Sequence, residues 1–160
     1  MNVDTILDTL NRHGVDYLLI GGMNFFIRHQ PVATFDVDVW ISDEEANRAR
    51  CESALIALGA AWGKTEEDWR PVQARSPGWL SHHGVYCLTT KAGDVDIFRS
   101  VSGLTDWSAS RARAIAQETG SGVRFLALSD QDMLACQLAL PEHERHLDRI
   151  RHLRHVLGED

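Results

Sequence analysis

The stretch LLIGGMNFFIRHQPVATFDVDVWI, Leu18 to Ile41, decides how this chain is read. An apolar run ends at Gly21-Gly22, and after an intervening loop Asp36 and Asp38 interrupt a second apolar run. Ionised carboxylates are costly in a strand core, so the pair needs a reason. Side chains alternate along a strand. In TFDVDVWI, Phe35, Val37, Val39 and Ile41 are expected on one face and Asp36, Asp38 and Trp40 on the other. That makes the two aspartates neighbours, roughly 6–7 Å apart at the backbone. Like charges this close repel unless a cation or a proton lies between them. A hard divalent cation such as Mg²⁺ takes oxygen ligands and is usually held by one or two carboxylates plus substrate phosphates. Simple solvent-facing alternation is the plainer reading of an isolated D-x-D strand. Trp40 on the aspartate face argues instead that this face is covered.

The pattern recurs. GDVDIF puts Asp94, Asp96 and Phe98 on one face, with Val95 and Ile97 on the other. If the two strands are neighbours, a third carboxylate reaches the first pair. Three acids around one or two Mg²⁺ ions suit phosphoryl or nucleotidyl transfer. The glycines supply a complement. A strand that ends in Gly-Gly and enters a helix leaves backbone N–H groups free at the helix N-terminus, where they can cradle phosphate.

The remaining composition describes an ordinary soluble mix. The chain has 160 residues, 44% hydrophobic and 24% charged, which favours one domain, 1–160, with a real core. No apolar run approaches the roughly 20 residues of a membrane helix, so no membrane association is expected. The acidic, amphipathic start MNVDTILDTL does not read as a signal peptide. Cys51, Cys87 and Cys136 are odd in number and widely spaced, which fits a reduced cytoplasm and no cysteine metal site. The net charge of −7 argues against a broad nucleic-acid-coating surface.

Along the chain, Val3, Ile6, Leu7 and Leu10 have helical spacing, capped by Asn2 or Asp4 and ended by Gly14. VDYLLI is a short buried strand, Met23 to Arg28 a helix, and QPVAT a loop. Ser42 with Glu45 reads as a capping box for a helix to about Leu58. Residues 59–80, with Trp62, Trp69 and Trp79, read as a long irregular insertion beside the sheet. GVYCLTT and GDVDIF form a hairpin around Lys91-Ala92-Gly93. A helix is expected from about Asp106 to Glu118, a strand at GVRFLAL, and a helix through Leu140 capped by Ser129. A last helix runs from about Glu142 to Leu157. The fold class is α/β, a mixed sheet flanked by helices, with helices at the C-terminus.

In order and spacing, Gly21, Gly22, Asp36, Asp38 and Asp96 resemble the nucleotidyltransferase superfamily, the polymerase-beta-like fold. The likeness is strongest to its small bacterial members, such as AbiEii-type toxins and antibiotic adenylyltransferases. Thr34, two residues before the first Asp, matches many toxin-like members. VRFLALSDQDMLACQLAL and ERHLDRIRHL, with Arg145 and Asp148, resemble the family's later strand and closing helices, leaving residues 59–80 unmatched. The resemblance implies that Asp36, Asp38 and Asp96 bind Mg²⁺ and carry catalysis. Asp96 would help to activate the acceptor hydroxyl, with Asp94 as the alternative third acid. It also implies that Gly21, Gly22 and Thr34 contact the nucleotide. The implied reaction moves a nucleotide monophosphate from an NTP to a hydroxyl acceptor. That acceptor is tRNA, as in a toxin paired with an antitoxin protein, or a small molecule such as an antibiotic. A non-catalytic binding module on the same fold is the rival class. Val32, Asn24, Gln137 and Leu147 stand where relatives often carry other residues, three of them cations (at 32, 137 and 147). Arg28, Lys91, Arg99 and Arg145 are the candidates to supply the missing charge.

Other features have simpler readings. The histidines and arginines of the last helix are a solvated face around a Leu147, Ile150, Leu153, Leu157 stripe rather than an RNA or antitoxin contact. The tryptophans of 59–80 anchor a loop rather than stack a base or sugar. No histidine set completes a zinc site.

Overall fold

The computed structural model describes residues 1–159. A six-stranded mixed sheet forms its centre, in the order β5-β6-β2-β1-β8-β7. In chain order the strands are β1 (Tyr17–Ile20), β2 (Asp36–Ile41), β3 (Ala61–Trp62), β4 (Arg70–Pro71), β5 (Val85–Leu88), β6 (Asp94–Phe98), β7 (Ile115–Glu118) and β8 (Arg124–Ala127). The helices are α1 (Val3–Arg12), α2 (Gly21–Arg28), α3 (Glu45–Ala57), α4 (Trp107–Arg113), α5 (Asp130–Ala139) and α6 (Leu147–Val156). No helix among the described residues is long and apolar enough to cross a membrane.

Alternation along the strands creates two cores. Val37, Val39 and Ile41 of β2, with Val95 and Ile97 of β6, face α1 and α3, together with Ile6, Leu7, Leu10, Leu55 and Leu58. Leu18, Ile20, Trp40 and Phe98 face the opposite way and pack with Phe25, Met133, Leu134, Ile150 and Leu153. The aspartates lie on this second face. Asp-x-Asp-x-Trp and Asp-x-Asp-x-Phe therefore each run from carboxylates at the strand start to a covered aromatic at its end. Phe35 does not join the first face as expected. It lies one residue ahead of β2 and is 84% exposed.

Asn2 caps α1, its side chain accepting from Thr5 N–H, and Ser129 caps α5 by accepting from Asp132 N–H. Ser42 caps nothing. It is buried at the end of β2's extension, and its carbonyl accepts from Asn47 Nδ2 at 2.8 Å. The chain stays extended through Glu44, so α3 starts at Glu45 with no side-chain cap.

The expected helix over 106–118 is shorter. It ends at Arg113, and Ile115–Glu118 instead pairs antiparallel with β8. The turn between them closes with Thr119 N–H donating to Val123 O at 2.9 Å. Only four residues carry the two-residue alternation here, which is too short to stand out from a helical window. The last helix also starts later, at Leu147. Pro141 opens a single 3₁₀ turn, and the Gln137 side chain accepts from His146 N–H at 2.9 Å. Leu147 is 61% exposed, and Leu157 is also exposed, so the buried stripe of α6 is Ile150 and Leu153.

Residues 59–80 are more ordered than an irregular insertion. β3 and β4 pair antiparallel, and Ala61 bridges to Thr89 beside β5. Trp62 and Trp79 pack on Tyr86, with centroids 4.9 and 5.3 Å away, and Arg75 lies over Trp62. Buried Glu52 of α3 accepts from Gly78 N–H and Leu80 N–H at 2.8 and 3.2 Å. Two of the three tryptophans thus anchor the segment, while Trp69 is exposed.

Candidate metal and phosphate site

Parallel pairing of β2 with β6 sets the central geometry. Asp36 lies opposite Asp94, and Asp38 opposite Asp96. Asp36, Asp38 and Asp96 each bring a carboxylate oxygen to within 4.8 Å of the others. Asp94 is exposed and stands outside that group. Of the two acids of DVDIF, the structure brings Asp96 to the cluster.

Three acids this close cannot all be comfortable in the charged form. Burial, and then the charges of Asp36 and Asp96, hold the Asp38 carboxyl well above the usual carboxylate range. Burial and the charge of Asp36 raise Asp96 as well. Asp38 Oδ1 is buried with no hydrogen-bond partner. An orphaned oxygen within an all-oxygen donor set fits a hard divalent cation.

The Gly-Gly turn abuts the same carboxylate. Gly21 adopts φ +70°, a conformation that L side chains rarely take. A Cβ there would overlap Asp38 Oδ2 and lie 3.1 Å from Asp38 Cγ. Gly22 has a different constraint, since a Cβ on it would sit 3.1 Å from Thr34 Oγ1 and 3.4 Å from Arg149 Nη2. Thr34 therefore borders the turn, with its hydroxyl donating to Asp36 O at 3.3 Å. No side chain caps α2, so its first N–H groups remain available to an anion.

Arg149 is the functional candidate that the sequence reading did not single out. It reaches the turn from α6, lies over Phe25 at 5.8 Å, and its charge favours ionised Asp38. Three of the four candidate cations, Arg28, Arg99 and Arg145, are engaged elsewhere. Arg28 pairs with Asp130 at 2.9 Å, and Arg99 pairs with Asp43 at 2.7 Å. Arg145 donates to Leu138 O and Leu140 O, and the Lys91 side chain lies against Gly59. A signal for Arg149 was present. It is one residue before Ile150 and four before Leu153, on the flank of the buried face of α6. The expected four-leucine stripe obscured that flank. Asp130, His29 and His152 tie α6 to α2, with His29 2.7 Å from Asp130 and 3.3 Å from His152.

No protein-family model and no curated protein matches the chain. Solved structures do. ANT(2″)-Ia in complex with adenylyl-2″-tobramycin aligns with a TM-score of 0.59 at 13% identity, over 98% of this chain and 87% of that one. The fold is that of the nucleotidyltransferases. A candidate nucleotidyltransferase from Thermotoga maritima aligns at 0.56 with 18% identity, over 97% of this chain and 89% of its own. The lincomycin-bound lincosamide antibiotic adenylyltransferase LnuA aligns at 0.53 with 16% identity, over 93% and 92% of the two chains. At these identities the likeness is one of fold, and the case for chemistry rests on the side chains.

Proposed function

We propose that residues 1–160 form a single nucleotidyltransferase-like domain that moves a nucleotide monophosphate from an NTP to a hydroxyl acceptor, with Mg²⁺. The observation that carries this reading is the junction of the Asp36, Asp38, Asp96 cluster with the Gly21-Gly22 turn, where Gly21 abuts Asp38. In this reading Asp36, Asp38 and Asp96 hold Mg²⁺, which when bound supplies charge stabilisation for phosphoryl oxygens. The turn N–H groups, the Thr34 edge and the Arg149 guanidinium hold the triphosphate. Asp96 orients the acceptor hydroxyl and takes its proton as the oxygen attacks the α-phosphorus. The bond to pyrophosphate breaks as the new ester forms.

The flank of the cluster beyond Asp96 favours a small-molecule acceptor. β5 pairs with β6 so that Cys87 faces Asp96 and Val85 faces Phe98. With exposed Asp94, that strip offers an acid and two uncharged side chains, which suits a compact hydroxyl compound better than a phosphate backbone. Two of the neighbours are described with an antibiotic or its adenylylated form. An RNA acceptor, in a toxin of a toxin–antitoxin pair, is the second reading. It rests on the sequence position of Thr34, two residues before Asp36, which resembles many toxin-like members.

The test incubates the protein with each α-labelled NTP and Mg²⁺, with total RNA in one arm and a panel of hydroxylated antibiotics in the other. Label should pass to an acceptor with release of pyrophosphate, and Asp36→Ala and Asp96→Ala should abolish it. Absence of both metal and nucleotide binding at millimolar Mg²⁺ would overturn the reading. Label in RNA alone would move the acceptor to the second reading.

A further inference from the structure

Two imidazoles join α2 to α6. His29, which ends α2, has Nε2 2.7 Å from Asp130 Oδ1 and Nδ1 3.3 Å from His152 Nε2 on α6. Asp130 opens α5 and pairs with Arg28 at 2.9 Å, so it meets the ring as a carboxylate. A bare ring nitrogen 2.7 Å from that oxygen would be repelled, so His29 Nε2 carries a hydrogen and donates it. Neutral His29 is then bare at Nδ1, and His152 Nε2–H must donate to it. One more proton fits. Charged His29 donates on both sides, and His152 takes its other tautomer, whose bare Nε2 accepts. A second proton does not fit. It would set two N–H groups head to head across 3.3 Å, on two cationic rings.

We propose that His29 and His152 are positioning residues for Arg149, and that their contact is a latch of fixed proton capacity. It holds with at most one ring charged, and a second proton frees α6 from α2. The latch stands on its own geometry; what Arg149 does when held rests on the nucleotidyl-transfer reading. Phe25 links the latch to the guanidinium. Its buried ring lies 5.1 Å from His29 and 5.4 Å from His152, and Arg149 lies over it at 5.8 Å. Arg149 and His152 are three residues apart, so they share one side of α6. The remaining hold on the helix is slight, because its buried residues are Ile150 and Leu153 alone. The surrounding charges sharpen the limit. Arg28 comes from α2, and Asp148, Arg149 and His155 lie within about one turn of His152 on α6. On α5, Asp132 pairs with Arg113 at 2.9 Å. Among the described residues Asp130 is the carboxylate that touches the rings, and Arg28 already shares it. One anion therefore faces two rings and an arginine.

The test follows the rings, the docking of α6 and anion affinity between about pH 8 and pH 5, the span in which histidines ordinarily change charge. Long-range ¹⁵N spectra should show His29 protonated at Nε2 at the upper end; a ring protonated at Nδ1 alone overturns the latch. Two variants separate its parts. His152→Gln offers an amide donor that takes no charge, and His152→Ala offers none. Hydrogen exchange of the α6 amides, corrected for its intrinsic pH dependence, should lose about tenfold or more of its protection on acidification of the wild type, and little in His152→Gln. Calorimetry with Mg·tripolyphosphate should find these two proteins within about threefold of one another at the upper pH, and His152→Gln about three- to tenfold the tighter at the lower. Comparing proteins at one pH cancels the titration of the probe and of the acid cluster. His152→Ala should bind about three- to tenfold more weakly than His152→Gln throughout. Equal loss of protection in the wild type and His152→Gln overturns the latch, as does a glutamine variant that behaves like the alanine one. If α6 loosens as expected but tripolyphosphate affinity does not follow, the latch stands, and the positioning of Arg149 for phosphate is overturned.

Discussion

Replacing Gly21 by alanine tests the joint between the turn and the acid cluster. Two costs can be separated. The backbone at φ +70° is left-handed, which costs an L-residue about 1–2 kcal/mol. The new Cβ overlaps Asp38 Oδ2 and lies 3.1 and 3.2 Å from Asp38 Cγ and Cβ, so the carboxylate must move. Because Asp38 is held on a paired strand, its side chain gives way by leaving its rotamer, at about 0.5–1.5 kcal/mol. Alanine's narrower unfolded ensemble returns about 0.4–1 kcal/mol. The net loss is about 2 kcal/mol, which at a urea slope near 2 kcal/mol/M lowers the midpoint by about 1 M. The same displacement should weaken Mg²⁺ binding by calorimetry. A double mutant with Asp38→Ala removes the overlapped carboxylate but leaves the backbone strain. The cycle should therefore show a coupling of about 1 kcal/mol. Gly22→Ala is the control. Gly22 has no positive φ, and its would-be neighbours at 3.1 and 3.4 Å, Thr34 Oγ1 and Arg149 Nη2, are ends of side chains that can shift. Its stability cost should be well under that of Gly21→Ala. A Gly21→Ala protein within about 0.5 kcal/mol of wild type, or a cycle that is simply additive, would refute the reasoning.

The acid cluster should also shape the dependence of stability on pH. Asp38 has a folded-state pKa above its ordinary value of 3.8, so its contribution is intact below that value and is lost as pH rises through the raised one. In EDTA, Asp38→Asn should therefore melt above the wild type at pH 8, by something on the order of 2 kcal/mol, and with the wild type near pH 4. Coincident melting at both pH values would count against the cluster. Arg149→Ala should weaken Mg·tripolyphosphate binding roughly 10- to 100-fold, the worth of a charge-assisted hydrogen bond, with Arg149→Lys recovering part of it. Unchanged affinity in the alanine variant would remove Arg149 from the phosphate site.

The legible part of this structure was carried by periodicity and by glycine. Alternation in FDVDVWI and GDVDIF is enough to put each pair of acids on one face of its strand, because the period of two leaves no choice once the strands exist. What alternation could not supply was the order of strands. The parallel pairing of β2 with β6, which sets Asp38 against Asp96, is a long-range event, and the family resemblance supplied only Asp96 as the third acid. Ser42 misled because a capping box is a local signal, and Asn47 overrode it by taking the Ser42 carbonyl. Ile115–Glu118 misled because an edge strand of four residues takes its identity from its partner β8. Arg149 escaped notice for a related reason. A helix that carries arginines at 149, 151 and 154 shows which is functional only when its docking face is known, and that face is set by two residues, Ile150 and Leu153.

The distribution of arginines sharpens the point. Arg28, Arg99 and Arg113 pair with Asp130, Asp43 and Asp132, each an aspartate away from the cluster. With all three acids ionised, the cluster sets three carboxylates against the guanidinium of Arg149, a deficit of two. A fold selected for stability alone would bring another cation there or remove an acid, since like charges about 4 Å apart cost on the order of 4 kcal/mol even at an effective dielectric constant of 20. The chain does neither, and it buries Asp38 Oδ1 without a partner. The unmet charge equals that of one divalent cation. Metal affinity and fold stability should consequently be two readings of one quantity. Millimolar Mg²⁺ should raise the melting temperature of the wild type and leave that of Asp38→Asn nearly unmoved.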